Sequence, residues 1–538
     1  MKKIVRTAVI TLAFALISFY FTLPALNIRS PFFYSWLLEV AVVYIVASLI
    51  GTLSISELRN RTVDFKFLKK NAMVGLIVVI VCVAALGLGQ VISHEFFNAE
   101  KYQKLMPIQN REFAEDITQI SMNDVPIVDK DSAIRLGNRK IGELVNLISQ
   151  FEVDEYSYSY TQINYQDVPT RVAPLRYGDV IKWFNNQSEG IPGYIMVDMT
   201  SQDVELVQLQ NGIKYSPGEY FFRDLDRHLR FHYPTKIFED YSFEIDEEGH
   251  PYWICPVIEY TIGLFGGRDV SGVVIVDACS GESTYYDITD VPQWVDIAYD
   301  ADIIVEQIDY WGKYKNGFIN TMFGQKDVCV TSGGYNYLAM DDDVWLYTGL
   351  TSVGNDESNI GLVLVNMRTK EARYYIVSGA TEYSAMESAE GQVQNLAYDA
   401  TFPVLLNIGG QPTYLVSLKD NAGLVKKFAF VNVEKYQQVA IGDTLNEAYS
   451  VYVKLLSSGQ MIDTDTLEEI TGTITQIDTA VKEGNTYFYI QLSNSKKVFV
   501  ASIQVNDVLA ILKPEDKVTI GYVQSDDTFV MMNQIEKK

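Results

Sequence analysis

The stretch AMVGLIVVIVCVAALGLGQVI, residues 72–92, most constrains how this chain can fold, because it holds 21 residues without a charged side chain. A helix of that length spans about 30 Å, the thickness of a bilayer's hydrocarbon core, and satisfies its own backbone hydrogen bonds there. Two more apolar stretches precede it, at 8–26 and 32–53, joined by the short turn NIRSP (27–31). The 446 residues that follow it contain no comparable stretch. The expected plan is a three-span anchor, residues 1–93, carrying one large block on a single side of the membrane.

Basic residues set the expected orientation. Lys2, Lys3 and Arg6 open the chain, and Arg59, Arg61, Lys66, Lys69 and Lys70 fall in the loop 54–71, whereas the first turn has only Arg29. The positive-inside rule then predicts a multi-pass cell-membrane protein with a cytoplasmic N-terminus and residues 94–538 extracytoplasmic. A basic start followed by an apolar core also fits a cleaved signal peptide, but LPALN (23–27) is a poor small-x-small cleavage site. Cleavage there would leave the sidedness of the remainder unchanged. Glu39 lies about eight residues into the second span and is expected to snorkel or bind a neighbouring span, an ion or proton site being the alternative. Ala47 with Gly51, and Ala85 with Gly89, offer small faces for close packing between spans.

Charge is divided unevenly. Residues 1–93 hold 9 basic and 3 acidic residues, leaving 34 basic against 65 acidic in the rest. So acidic a region repels nucleic acid and anionic lipid headgroups, and leaves cations or a basic partner admissible. Cys82 falls in a span; Cys255, Cys279 and Cys329 form no framework spacing, which suits an envelope protein that does not depend on disulfides.

Residues 94–106 continue the third span as a helical stalk ending near Pro107, and a helix capped by Asp131 and Ser132 is expected through 148, so that 94–150 forms stalk and linker. Residues 156–165 alternate aromatic and polar side chains, the pattern of a half-exposed strand. Beyond that a unit recurs: an apolar β-branched run, a polar turn opened by Asp or Asn, and a second strand. It occurs as GYIMVD (193–198), GVVIVD (272–277), GLVLVN (361–366) and FAFVN (428–432). Asp and Asn suit such turns because their side chains accept from backbone amides two residues on. Helices are expected at 291–308, 380–397 and 444–456, and further strands at 251–260, 344–350 and 413–418. Together these predict tandem antiparallel-sheet and helix modules, an α+β architecture, over 151–325 and 326–456.

The run IVDACSGE (275–282) resembles the strand-turn of PepSY-type domains, in which a hydrophobic strand enters V-D-x-x-T-G-E. The units at Gly193 and Gly361 match more loosely. The resemblance implies extracytoplasmic modules that bind or restrain partner proteins, and it carries over no catalytic residue. Residues 467–538 give strands at 472–477, 486–492 and 497–503, a helix at 505–512, and strands at 517–523 and 528–535, the order of an OB-fold. With 7 basic against 10 acidic residues this segment is not expected to bind nucleic acid.

Candidate chemical groups are sparse. His228 and His232 stand one helical turn apart, but the glutamate of a zinc hydrolase motif is missing, so they are expected on a surface helix. Arg223, Arg227 and Arg230 share that segment as a basic stripe, expected to pair with Asp and Glu of the same chain. Asp341, Asp342 and Asp343, and the acidic run 239–248, lack the order of a calcium loop. Ser493 and Lys496 satisfy S-x-x-K but fall in a hairpin turn. Gly266, Gly267, Gly333 and Gly334 are turn glycines. Aromatic strands such as PYWI (251–254) could stack on sugar rings, with sheet packing the plainer reading. No catalytic, cofactor-binding or metal-ligating residue is assigned. The expectation is a non-enzymatic envelope protein whose extracytoplasmic region binds or scaffolds another protein or glycan. A cell-wall hydrolase and a sensor subunit signalling through a membrane partner are the alternatives.

Overall fold

The structure is a computed structural model and describes residues 2–52, 65–119, 121–122, 124–143, 145–156, 160–340, 342–353, 358–458, 468–482, 485–502, 506–522 and 528–538. Three helices are long and apolar enough to cross a membrane: α1 (Lys2–Thr22), α2 (Pro31–Thr52) and α3 (Phe65–Ser93). A mixed α+β region with several sheets follows. The stalk is α4 (Glu95–Gln103), which ends short of Pro107 as expected.

Four units, each a helix followed by an antiparallel meander, make up the body. The first comprises α5 (Lys130–Gly142), β1 (Phe151–Val153), β2 (Thr161–Tyr165), β3 (Val168–Tyr177), β4 (Ile191–Asp198) and β5 (Val204–Ile213). In the second come α6 (Leu225–His232), β6 (Ser242–Ile245), β7 (Pro251–Ile262), β8 (Gly266–Asp277) and β9 (Ser283–Asp287). The third runs α7 (Ala301–Lys313), β10 (Cys329–Thr331), β11 (Asn336–Met340), β12 (Asp343–Ser352), β13 (Ser358–Asn366) and β14 (Ala372–Tyr375). The fourth holds α8 (Glu382–Gln392), β15 (Asp399–Ala400), β16 (Val404–Ile408), β17 (Gln411–Lys419), β18 (Val425–Asn432) and β19 (Val439–Gly442), and α9 (Leu445–Ser458) covers it.

Local chemistry places each element. Asp129, Asp224, Asp300 and Thr381 cap the four unit helices, their side-chain oxygens accepting from the amides of Ser132, Arg227, Asp302 and Ser384 at 2.8–3.3 Å. Asp198, Asp277, Asn366 and Asn432 open the turns after the central strands, each accepting from amides two or three residues on. These caps correct three expected helix bounds. The first helix starts after Asp129 and stops at Gly142, a separate turn (Val145–Ile148) following. The helix expected from 291 begins only at Ala301, because Pro292 and the cap Asp300 keep the preceding segment non-helical. The helix expected over 380–397 is Glu382–Gln392, capped by Thr381. The strand expected from 156 is confined to β2, and 157–159 lie outside the described residues.

The apolar runs lack clean alternation because these sheets are buried on both faces. Successive side chains enter different cores. Trp253, Cys255, Val274 and Val276 face unit one, while Ile254, Val273 and Ile275 face unit three. Val344, Leu346, Val363 and Val365 meet unit two, and Trp345, Tyr347, Leu362 and Leu364 meet unit four. Leu415, Phe428 and Phe430 pack beneath Ala448 and Tyr452 of α9. Each intervening helix serves two sheets at once, as Ile303, Ile304 and Ile308 of α7 do between units two and three. Segment 125–128 joins the fourth unit back to the first. Val125 packs under sheet four, Val128 packs in sheet one, and the Ile127 amide donates to the Met199 carbonyl at 2.8 Å.

Unit two docks on the ends of the spans. Arg230 donates from Nε to the Leu23 carbonyl at the end of α1 at 2.9 Å, and the Leu26 amide donates to the Pro234 carbonyl at 2.8 Å. Ser93 Oγ accepts from the amides of Leu264 and Phe265 at the β7–β8 turn, both at 2.9 Å. Gly89, expected to pack against another span, instead receives the Phe265 ring so closely that a Cβ there would lie 2.3 Å from it. At Gly75 a Cβ would meet the Ile45 side chain at 2.5 Å, so it is there that α2 and α3 pack tightly.

After the fourth unit, β20 (Glu468–Lys482), β21 (Asn485–Leu492), β22 (Val498–Ser502), β23 (Lys517–Tyr522) and β24 (Phe529–Lys537) surround their own core. β20 pairs with β21, β21 with β22, β22 in parallel with β24, β24 with β23, and β23 with β20. The helix expected between the third and fourth of these strands is a 3₁₀ turn, Asp507–Ile511.

Gly89→Leu is expected to cost about 1–3 kcal/mol through overpacking against Phe265. Gly87→Leu, with open space around its Cβ, is expected to be nearly neutral. Thermal midpoints of the detergent-solubilised protein compare the two.

Candidate ligand-binding site

The first strand of each sheet is interrupted. Val153 pairs with Leu175 and Thr161 with Val172; Thr331 pairs with Leu350 and Asn336 with Tyr347; Ala400 pairs with Leu418 and Val404 with Leu415. In unit two an isolated bridge, Ile237 to Ile258, precedes the pairing of Ser242 with Ile254. At every break the first strand carries more residues than its partner, so chain is pushed out of the sheet as in an enlarged bulge. The four breaks converge, and with the first turns of α5 and α7 they line a cavity of about 810 Å³.

One end of the cavity gathers the basic groups Arg171 and Lys130, with the carboxylates of Asp129 and Asp131 beside them. Arg171 on β3 is only 7% exposed, and it stands opposite Gln162 on β2. Its Nη2 donates to Gln162 Oε1 at 3.2 Å, while its Nε and the Gln162 Nε2 are buried without partners. Burial lowers the pKa of Arg171 against the pull of Asp129. It also lowers that of Lys130, an effect the neighbouring Arg171 charge reinforces. The Asp129 carboxylate is already engaged. It caps α5, and its Oδ2 accepts from Lys419 Nζ at 2.6 Å. Burial works to raise its pKa, but those bonds outweigh it and hold the group below the usual carboxylate range.

The opposite end is acidic. Asp300 at the start of α7 is pushed up to about 6 by burial, with Asp240 and Asp302 adding repulsion. Burial raises Asp240 as well. Between the ends stand Tyr335 and Tyr337, their rings 5.7 Å apart and edge to face. The Tyr337 phenol is held far above its ordinary pKa by burial, and it feels both Asp300 and Arg171. Asn336 fixes this segment by donating to the Pro403 carbonyl at 3.0 Å.

Behind the cavity lies a buried carboxyl pair. Glu244 accepts from Ser242 Oγ at 2.9 Å and from the amides of Asp296 and Ile297 at 2.8 and 3.1 Å; Asp296 accepts from the Asn164 amide at 2.8 Å. The latch therefore ties units one, two and three. Burial pushes Glu244 up to about 7, and burial together with Glu244 pushes Asp296 well above its ordinary value.

Of the groups singled out in the sequence, Asp131, and Asp240 of the acidic run, line the cavity, and the others lie elsewhere. His228, expected on a surface helix, is 6% exposed and packed between Tyr215 and His232, with ring centroids 4.8 and 4.2 Å away. Burial, then His232, lowers its pKa to about 4. The arginine stripe is broken, since Arg223 precedes α6; Arg227 pairs with Asp224 at 3.1 Å and Arg230 serves backbone carbonyls. Asp343 forms a buried pair with Arg368 at 2.6 Å, Asp342 accepts from Gln293, and Asp341 lies outside the described residues. In the acidic run, Glu239 pairs with Arg268 while Glu244 belongs to the latch. Ser493 and Lys496 sit in the β21–β22 turn. Trp253 is fully buried, donating to the Tyr215 carbonyl at 2.9 Å. Cys82, Cys255, Cys279 and Cys329 are free and buried. His250, Asp277 and Cys279 bring their donor atoms within 4.8 Å of one another, with His250 Nε2 3.1 Å from the Asp277 carboxylate. The sequence reading missed the cavity residues because they come from four units; Arg171, a cation within the apolar pattern of β3, was the one local signal.

No family model matches this chain, and no curated protein is similar to it in sequence. Among solved structures, the polysaccharide lyase Uly1 aligns over 64% of this chain and 74% of its own at 10% identity, with a TM-score of 0.16.

The latch makes stability pH-dependent in a definite sense. Both carboxyls keep protons in the native state that the unfolded chain releases near pH 4, so stability falls as pH rises from about 4 to about 7. The slope is at most about 1.4 kcal/mol per pH unit for each proton. Asp296→Asn retains the acceptor for Asn164 and is expected to flatten that slope in denaturation midpoints measured from pH 5 to 7.5.

Proposed function

We propose that this protein is a non-enzymatic, multi-pass membrane protein of the bacterial cell envelope that binds a small envelope component in the cavity at the meeting of its four units. The carrying observation is that cavity itself: about 810 Å³, within the usual range of small-molecule sites, and formed only when all four units are assembled. The basic residues of 54–71 and Lys2, Lys3 and Arg6 at the N-terminus support a cytoplasmic N-terminus and an extracytoplasmic body, residues 94–538.

We read the helix-and-meander units as PepSY-like binding modules on the strength of the turn at Asp277, and the five C-terminal strands as an OB-like barrel that supports the assembly. The docking of unit two on α1 and α3 gives a bound ligand a mechanical route to the spans. A sensor subunit working through a membrane partner would use the same route.

Asn421→Trp, placed on the exposed β17–β18 turn at the cavity rim, is expected to abolish binding of solubilised cell-wall fragments by the full-length protein in nanodiscs while leaving its thermal midpoint unchanged. Binding that persists in this variant overturns the cavity assignment. Turnover of the fragments overturns the non-enzymatic reading in favour of a wall hydrolase. For sidedness, Glu100→Cys is expected to react with a membrane-impermeant maleimide in intact cells.

A further inference from the structure

We propose, resting on the binding reading above, that the cavity takes a short peptide, receiving its carboxylate at Arg171 and Lys130 and its ammonium at Asp240, Asp300 and Asp302.

The argument begins with Arg171. A guanidinium withdrawn from water is destabilising unless a carboxylate or a full set of acceptors compensates it. Arg171 is 7% exposed, its Nε is buried without a partner, and the one hydrogen bond it makes among the described residues goes to a neutral amide. Two carboxylates act on its charge, Asp129 and Asp131; Asp129 is committed to Lys419 and to the cap of α5, and among the described residues neither is hydrogen-bonded to the guanidinium. Its cross-strand neighbour Gln162 also holds an unpartnered nitrogen, Nε2. Two unpartnered donors, Arg171 Nε and Gln162 Nε2, thus sit side by side in the wall of the cavity, with Lys130 on the adjoining helix turn. A planar carboxylate can accept from the guanidinium fork and the amide together, which is the geometry arginine is suited to.

The other end decides between kinds of anion. Asp240, Asp300 and Asp302 line the same cavity, so a phosphate or a polyanion seated at Arg171 would extend toward three carboxyls. A ligand with one carboxylate at one end and an ammonium at the other meets complementary charge at both. The middle of the cavity is bounded by the edge-to-face pair Tyr335 and Tyr337 and by Phe402, which offer apolar faces and phenol hydroxyls to a peptide backbone. Basic groups at Arg171 and Lys130, a tyrosine pair and an acidic patch at Asp240, Asp300 and Asp302 suit an amphoteric chain.

The test uses the full-length protein in nanodiscs and four probes: trialanine, its C-terminal amide, its N-acetyl derivative, and inorganic phosphate. Binding is read by calorimetry, and trialanine of both hands is tried. Trialanine is expected to bind, and removal of either terminal charge to weaken it about 10- to 100-fold, the worth of a hydrogen-bonded charge pair. Phosphate is expected not to compete. Arg171→Met is expected to erase the preference for the free carboxylate and to leave the unliganded thermal midpoint unchanged or higher, whereas an arginine retained for structure would lower it. Arg171→Lys, which keeps the charge and loses the fork, is expected to fall between. Equal affinity for trialanine and either blocked form overturns the assignment, as does competition by phosphate. If the trialanines fail but neutral wall glycans bind and Asn421→Trp blocks them, the peptide assignment falls while the binding reading stands. If nothing binds, both fall.

Discussion

The central strands of each sheet in the body have to bury both faces, and the rest of the architecture follows from that requirement. An antiparallel meander on its own would leave one face wet and would show a clean alternation of apolar and polar residues. Here Ile254 and Cys255, or Leu362 and Val363, sit side by side in sequence and belong to different cores. A helix laid between two sheets must then be apolar toward both, as α7 is through Ile303, Ile304 and Ile308. No unit completes its core without its neighbours, so the four assemble as one body. Segment 125–128 completes the series by lying against the last sheet and the first.

The same requirement produces the cavity. Where four sheets bring their first strands together, continuous strands would drive four rows of side chains into one volume. The breaks before Thr161, Ser242, Asn336 and Val404 relieve that crowding by turning the chain out of the sheets. The polar groups freed at the breaks are satisfied locally, as the Pro403 carbonyl is by Asn336 and Tyr347. What remains at the centre is a lined space with basic and acidic side chains in its wall. The Glu244–Asp296 latch behind it holds three units in register, at the expense of keeping two carboxyls dry.

Unit two links this body to the membrane. The β7–β8 turn enters a socket at Gly89 and Ser93, and Arg230 satisfies a carbonyl left open where α1 ends. Span ends and sheet edges are both places where backbone groups lack partners, and here each supplies the other. The acidic end of the cavity sits one loop from the same unit, through Asp240.

A good deal was legible in the chain itself. Apolar length predicts three spanning helices, and β-branched runs that end in Asp or Asn predict the central strands and their turns, because these signals act through the backbone of the residues that carry them. Helix bounds were less legible, since Asp129 and Asp300 compete with nearby acids as caps and only the packed helix selects among them. His228 was misplaced because a histidine at helical spacing looks alike on a surface and in a core. The socket at Gly89 was read as a span contact because a small residue says that something approaches closely, not what. Arg171, Asp300, Tyr337 and Lys419 are spread from position 171 to position 419, and no periodicity links them. Local covalent and solvent preferences fix spans, strands and turns; only the stacking of four incomplete sheets decides which side chains share a cavity, because that depends on which faces are left to be buried once every local choice has been made.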